Sequence, residues 1–403
     1  MWGTRLLAAA LVGLAAFGSL ATAHPIVLTN ATLLDGVHAQ PRRNATVVIR
    51  DGRIDAVHTG GRFRAPSDAE TIDLAGLWLL PGLIDAHVHL ADRDGARAAL
   101  QAGVTTARSM GAPRFSDVAL RELHRSGARD IPEILAAGYH VRRRPHEAVA
   151  IDFPELAGLR TDAAGVRRLV RANAQRRVDV IKLMATERAG DPAQDFLVRD
   201  LDDETLRAAV AEASLTGLPA AAHAHTDEAA RAAVLAGVRT IEHGTLTSAS
   251  TLRLMRSRRV CLTPTLSFWS DMDDHGGSYD RPELRARAQA MAPRARATVA
   301  LAAQLGVMIA AGSDMRYAPP SNRTIVDEMA DLHASGLSRA AAIRSATAAA
   351  ARCLGIHHRT GAIRRGLEAD MIVLRSDPYS DLAALRDIRL IVNDGHIVRP
   401  DSR

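Results

Sequence analysis

Between Gly82 and Gly355 short apolar runs alternate with Ala-rich stretches of helical period, and this alternation constrains the chain more than any other feature. Eight runs have the length and composition of buried strands: GLIDAHVHL, TTARSMG, EILAAGYH, DVIKLMAT, PAAAHAHT, RTIEHGT, VCLTPTL and VMIAAGSD. A strand covered on both faces reads as a continuous apolar run, and a helix between successive strands makes the crossover that a parallel sheet needs. Eight such units imply an α/β fold in which residues 81–357 form a (β/α)8 barrel. Hydrophobic residues make up 47% of the chain but aromatics only 3%, so Ala, Leu, Val and Ile must fill the interior, a mix suited to helices and parallel strands. A doubly wound sheet is the competing arrangement, but it gives no reason for polar groups to gather where these runs end.

The flanks read differently. Residues 24–80 and 358–403 carry short apolar or alternating runs broken by turn signals, among them Asp35-Gly36, Asp51-Gly52 and Asp394-Gly395. Neither flank makes a core alone, so the two are expected to form one small β-sandwich built from both chain ends. Residues 1–23 combine an Arg, an apolar run and Ala21-Thr22-Ala23, the form of an export signal. The mature protein is therefore expected in the periplasm or outside the cell, with no membrane attachment once the signal is cleaved. Cys261 and Cys353 fall in no metal or redox spacing and are expected as separate buried thiols. The net charge of +6 is spread among 45 acidic residues with no basic and aromatic stripe, which argues against a nucleic-acid partner.

In a barrel, the C-terminal ends of the strands surround the active site. Here the first run ends in His87-Val88-His89, an i, i+2 pair that projects from one face. The fourth run holds Lys182, the fifth His223, the sixth Glu242-His243 and the eighth Ser313-Asp314. Five strands thus bring a polar or ionisable group to one rim. Adjacent inward imidazoles repel as cations and favour a metal between them. Lys182 is the sole lysine among 51 basic residues, so this position requires something arginine cannot supply.

The segments PGLIDAHVHL, IKLMAT, AAHAHT, IEHGT and AGSDM, followed by ATAAAARCLGIHHRTGAIRRGLEADMIVL, resemble the metal-dependent amidohydrolase superfamily. More narrowly, they are similar to its prolidase-like, imidazolonepropionase-related branch of secreted Xaa-Pro-type dipeptidases. The resemblance implies that His87, His89 and Asp314 hold one divalent metal and His223 and His243 a second, with Lys182 carboxylated by carbon dioxide and bridging the pair. A lysine amine can lose its proton and attack carbon dioxide, whereas a guanidinium stays charged. Nitrogen-rich ligands suit Zn²⁺. It further implies a metal-bridging hydroxide as nucleophile and Asp314 as the catalytic proton carrier.

On this reading the substrate is a dipeptide, an N-acyl amino acid or a related small molecule. Arg142 and Arg143 in the loop after the third run are candidates for a substrate carboxylate, and His140 and His225 for orienting its carbonyl. A mononuclear deaminase or cyclic-amide hydrolase of imidazolonepropionase type, a lactonase or phosphotriesterase, and a non-catalytic binding protein stay open as alternatives. So does homo-oligomer formation.

Overall fold

The computed structural model describes residues 24–60 and 63–399; the expected export signal lies outside the described residues. No helix among them is long and apolar enough to cross a membrane.

The flanking segments form strands because their apolar residues alternate. From the N-terminal side come β1 (Ile26–Leu33), β2 (Arg42–Arg50), β3 (Arg53–Thr59), β4 (Glu70–Asp73) and β5 (Trp78–Pro81). The central region supplies β6 (Leu83–Val88), β7 (Val104–Ser109), β8 (Glu133–Ala136), β9 (Ile181–Met184), β10 (Ala220–Ala224), β11 (Thr240–His243) and β12 (Cys261–Thr263). The C-terminal side adds β13 (Met371–Leu374), β14 (Ile388–Asn393) and β15 (His396–Val398).

Both chain ends enter one mixed sheet of eight strands, in the order β15-β14-β13-β5-β1-β2-β3 with β4 beside β1. The junction is β13 antiparallel to β5, with Val373 opposite Leu79. Alternation divides the side chains between two cores. Met371, Val373, Leu390 and Val392 join Leu28, Leu33, Val47 and Ile49 in the sheet's own core. Ile372, Leu374 and Ile391 face the larger core of the central region. Two turns from opposite chain ends touch: a methyl group on Gly395 (φ 77°) would lie 2.6 Å from the Gly52 Cα, so only glycine fits.

Centrally, seven of the eight expected runs are parallel strands, in one sheet of three (β6-β7-β8) and one of four (β9 to β12). Isolated parallel bridges Val141↔Leu183, Leu262↔Ile309 and Val88↔Met315 link their edges. The eighth run makes bridges but no strand of its own. Ser313 N–H donates to the Asp85 carboxylate (2.9 Å) rather than to a neighbouring strand, which interrupts the ladder. Helices follow the strands, and several begin where a side chain accepts a hydrogen bond from the first turn: Asp92, Asp202, Thr226 and Ser248.

The cysteines overturn an expectation. Cys261 and Cys353 are not separate thiols but a disulfide, with Cα atoms 5.8 Å apart across 92 residues of sequence. The fold lays β12 against the helix Ala348–Leu354, where both residues share a small core with Ile84, Ala86 and Ala310. Closing so long a loop restricts the unfolded chain, so reduction is expected to lower unfolding stability by roughly 2–4 kcal/mol. Denaturant midpoints measured with and without reductant check this; coincident curves would rule it out.

Candidate metal centre

His87, Lys182, His223, His243 and Asp314 all line one cavity of about 590 Å³, together with His89, His140 and His225. Most of these side chains leave strand ends by simple alternation, but Glu242 and His243 are adjacent, and strict alternation would send them to opposite faces. The backbone departs from it: His243 adopts φ 69° and is followed by Gly244 at φ 58°, and Asp314 lies at φ 59°. Left-handed geometry at a non-glycine residue costs on the order of 1–3 kcal/mol, a cost typical of functional positions.

Each imidazole has one nitrogen engaged by the protein. His87 Nδ1 pairs with Glu242 Oε2 at 2.8 Å, and His89 Nδ1 donates to the Gly111 carbonyl at 2.8 Å. His243 Nδ1 meets the Thr265 hydroxyl at 2.7 Å, and His225 Nδ1 the Thr245 hydroxyl at 2.8 Å. His223 is held the other way round, with Nε2 donating to the Glu187 carbonyl at 3.0 Å. The opposite nitrogen of each ring turns toward the other site residues, His87 Nε2 to Lys182 and His89 Nε2 to Asp314, and such outer hydrogen bonds fix which nitrogen faces inward. Burial, with the charge of Lys182 as a further cause, pushes His87 down to about 4. Burial likewise pushes His225 down to about 3 and holds His223 and His243 well below the usual imidazole value. Neutral rings carry free lone pairs.

Ligand atoms of His87, His243 and Asp314 lie within 4.8 Å of one another, as do those of His223, His225 and His243. His89 Nε2 reaches Asp314 Oδ1 at 3.1 Å. Burial alone would raise the Asp314 carboxyl, but His87 and His89 hold it below the ordinary value. Lys182 Nζ sits 3.4 Å from His87 Nε2 and is buried. Burial lowers its amine to about 8, although the Glu242 and Asp314 charges oppose the shift. His225 Nε2 is buried with no hydrogen-bond partner among the described residues. Unpaired lone pairs, an orphaned ring nitrogen and a carboxylate around one cavity fit divalent metal ions.

A third cluster, of the acidic residues Glu368, Asp370 and Asp394, is met by neighbouring cations of the protein. Arg359 lies 3.0 Å from Glu368, and His124 lies 3.0 Å from Asp394.

The candidate substrate residues separate. His140 lines the cavity, with Nε2 donating to the Met110 carbonyl at 2.8 Å. His225 belongs with the imidazole cluster, stacked on His243 with ring centroids 4.7 Å apart. Arg142 lines the cavity but faces Asp200 at 3.6 Å. Arg143 is not among the lining residues; its half-exposed side chain approaches Glu187 at 3.6 Å. Arg188, in the loop after Lys182 that the sequence marks as able to reshape the pocket mouth, lines the cavity, and so do two residues that the sequence did not single out, Tyr279 and Arg316. Arg316 was within reach of sequence reasoning, two positions beyond Asp314, whereas Tyr279 lay in a polar segment with no pattern to mark it. Beneath the site Glu242 accepts from Arg108 Nη2 at 2.8 Å, a buried ion pair whose orienting role the sequence did not reveal.

A lysine and a set of imidazoles at the ends of parallel strands, with a carboxylate from the eighth run beside them, define a hydrolase of the metal-dependent kind. Residues 78–398 match the model of the amidohydrolase family, and the chain belongs to that family. A Xaa-Pro dipeptidase crystallised with methionine in its active site is 26% identical, covering 93% of this chain and all of that one, with a TM-score of 0.84. A putative prolidase from Bifidobacterium longum is 30% identical over 95% of this chain and 96% of its own, with a TM-score of 0.82. An uncharacterized protein of Mycobacterium tuberculosis is 29% identical over 87% of this chain and 91% of its length. The chain is accordingly a hydrolase acting on carbon–nitrogen bonds.

Proposed function

We propose that this protein is a binuclear amidohydrolase that cleaves the amide bond of dipeptides or N-acyl amino acids outside the cytoplasm. The two parallel sheets and their three linking bridges are read as a (β/α)8 barrel over residues 81–357, capped by a β-sandwich of residues 24–80 and 358–403.

The observation that carries the reading is Lys182. It is the chain's single lysine, fully buried, with its amine beside His87 and its proton weakened by burial. A neutral amine attacks carbon dioxide, forming a nitrogen–carbon bond and releasing one proton, and the product is an anion with two oxygens. Lys182 so modified would stand between His87, His89 and Asp314 on one side and His223 and His243 on the other. Divalent cations held by these residues, with Zn²⁺ the best match to the nitrogen-rich set, would polarise the scissile carbonyl and acidify water.

The remaining chemistry belongs to the chain. Asp314, kept ionised by the two imidazoles beside it, accepts the proton of the attacking water and delivers it to the departing amine. His140 and the unpaired His225 Nε2 line the cavity where the substrate carbonyl would be oriented.

Metal analysis of the mature protein, joined to hydrolysis of a dipeptide and N-acyl-amino-acid panel, tests the reading. About two ions per chain are expected, with activity lost on chelation and restored by Zn²⁺. One ion per chain would turn the assignment toward a mononuclear cyclic-amide hydrolase or deaminase. None, with no turnover, would leave a binding protein.

A further inference from the structure

Three guanidinium groups line the cavity, and two have acidic partners. Arg142 faces Asp200 at 3.6 Å, and Arg188 donates to Asp191 at 3.3 Å. Arg316, in the segment after the eighth run, is exposed and has no hydrogen bond or ion pair among the described residues. A cation already facing a carboxylate has little to gain from a second, whereas an unpaired one offers its full planar fork.

Tyr279, in the loop that precedes the helix Pro282–Gln304, lines the same cavity. Its hydroxyl has no partner among the described residues. The ring is held in place. It packs edge-on to Phe268 with centroids 5.2 Å apart, and a methyl group on Gly190 would come within 2.7 Å of its Cε1. Gly190 is itself fixed, because Arg287 donates to the flanking carbonyls of Ala189 at 2.6 Å and Asp191 at 3.1 Å. A phenol so braced presents a donor at low entropic cost.

We propose that Arg316 and Tyr279, in the segments that follow the eighth and seventh runs, form the subsite for the free carboxylate of the substrate. The subsite rests on the amide-hydrolase reading and deepens it, since it names an amide whose amino-acid part ends in an unblocked carboxylate. The guanidinium supplies charge and paired N–H donors, and the phenol adds a third hydrogen bond.

The test compares acetate release from N-acetyl-L-leucine and N-acetyl-L-leucinamide by the metal-loaded full chain. Wild type is expected to favour the free acid. Arg316→Gln should lower the acid-to-amide ratio of kcat/KM by about tenfold or more, chiefly through KM, and Tyr279→Phe by a few-fold, with metal content retained. Binding of free L-leucine by calorimetry gives a readout independent of turnover and should weaken in parallel. Loss of the preference in Arg142→Gln while Arg316→Gln retains it would overturn the proposal, as would equal leucine binding by wild type and Arg316→Gln. If wild type hydrolyses neither compound yet binds leucine through Arg316, the N-acyl-amino-acid part of the reading fails and the subsite stands.

Discussion

Replacing Lys182 by alanine is expected to lower kcat by roughly 10³-fold and to reduce the bound metal from two ions toward one. The size follows from removing the ligand proposed to be shared by both ions: several kcal/mol of carbonyl polarisation, at about 1.4 kcal/mol per decade of rate, is roughly three decades. Lys182→Arg restores the charge but should be equally inactive, because a guanidinium does not shed its proton to attack carbon dioxide. That pair of variants separates the proposed carboxylated lysine from a lysine that merely balances Glu242 and Asp314, the acidic groups whose charges bear on its amine. Adding a small carboxylic acid such as acetate to the alanine variant should recover part of the lost rate, since its oxygens can enter the vacated space. Full activity in either variant would sink the proposal, and metal analysis alongside the rate assay shows whether the ligand or the fold was lost.

Glu242→Gln should cost both stability and metal affinity. Glu242 is fully buried, lies 2.8 Å from Arg108 and holds His87 Nδ1 at 2.8 Å. Removing its charge leaves the Arg108 guanidinium, itself 3% exposed, uncompensated in the interior. Breaking one side of a buried pair destabilises by about 3–5 kcal/mol. His87 also loses the acceptor that fixes its ring, and loss of such an orienting bond weakens metal binding roughly 10- to 100-fold. Denaturant unfolding of the metal-free protein isolates the first effect and a metal competition titration the second. An unchanged unfolding midpoint together with unchanged metal affinity would show that the carboxylate serves neither purpose.

Much of the architecture was legible because it depends on period. Seven of the eight central runs are strands, and both flanks enter one sheet, since apolar runs and alternation are local properties of the chain. The eighth run misled: its composition is that of a strand, but Ser313 spends its N–H on Asp85 and Asp314 turns into left-handed geometry. The candidate site was legible to the extent that residue types at run ends can be counted. Where the answer depended on partners far away in sequence, it was not. Arg142 and Arg143 after the third run were candidates for the carboxylate anchor, yet they face acids contributed by the following loop.

The sequence by itself determined the order of the strands, the kinds of side chain at their C-terminal ends and the one position where an amine replaces a guanidinium. Tertiary structure alone decided which nitrogen of each histidine turns inward, that His243 shares a cavity with its partners despite its parity, that Cys261 meets Cys353, and that Arg316 has no acid beside it among the described residues. The physical reason is that secondary structure follows from near-neighbour pattern, whereas hydrogen-bond partners, charge compensation and cross-links are set by contacts between residues far apart in the chain, 155 positions for His87 and Glu242 and 228 for Asp85 and Ser313. Those contacts exist only once the sheets have come together.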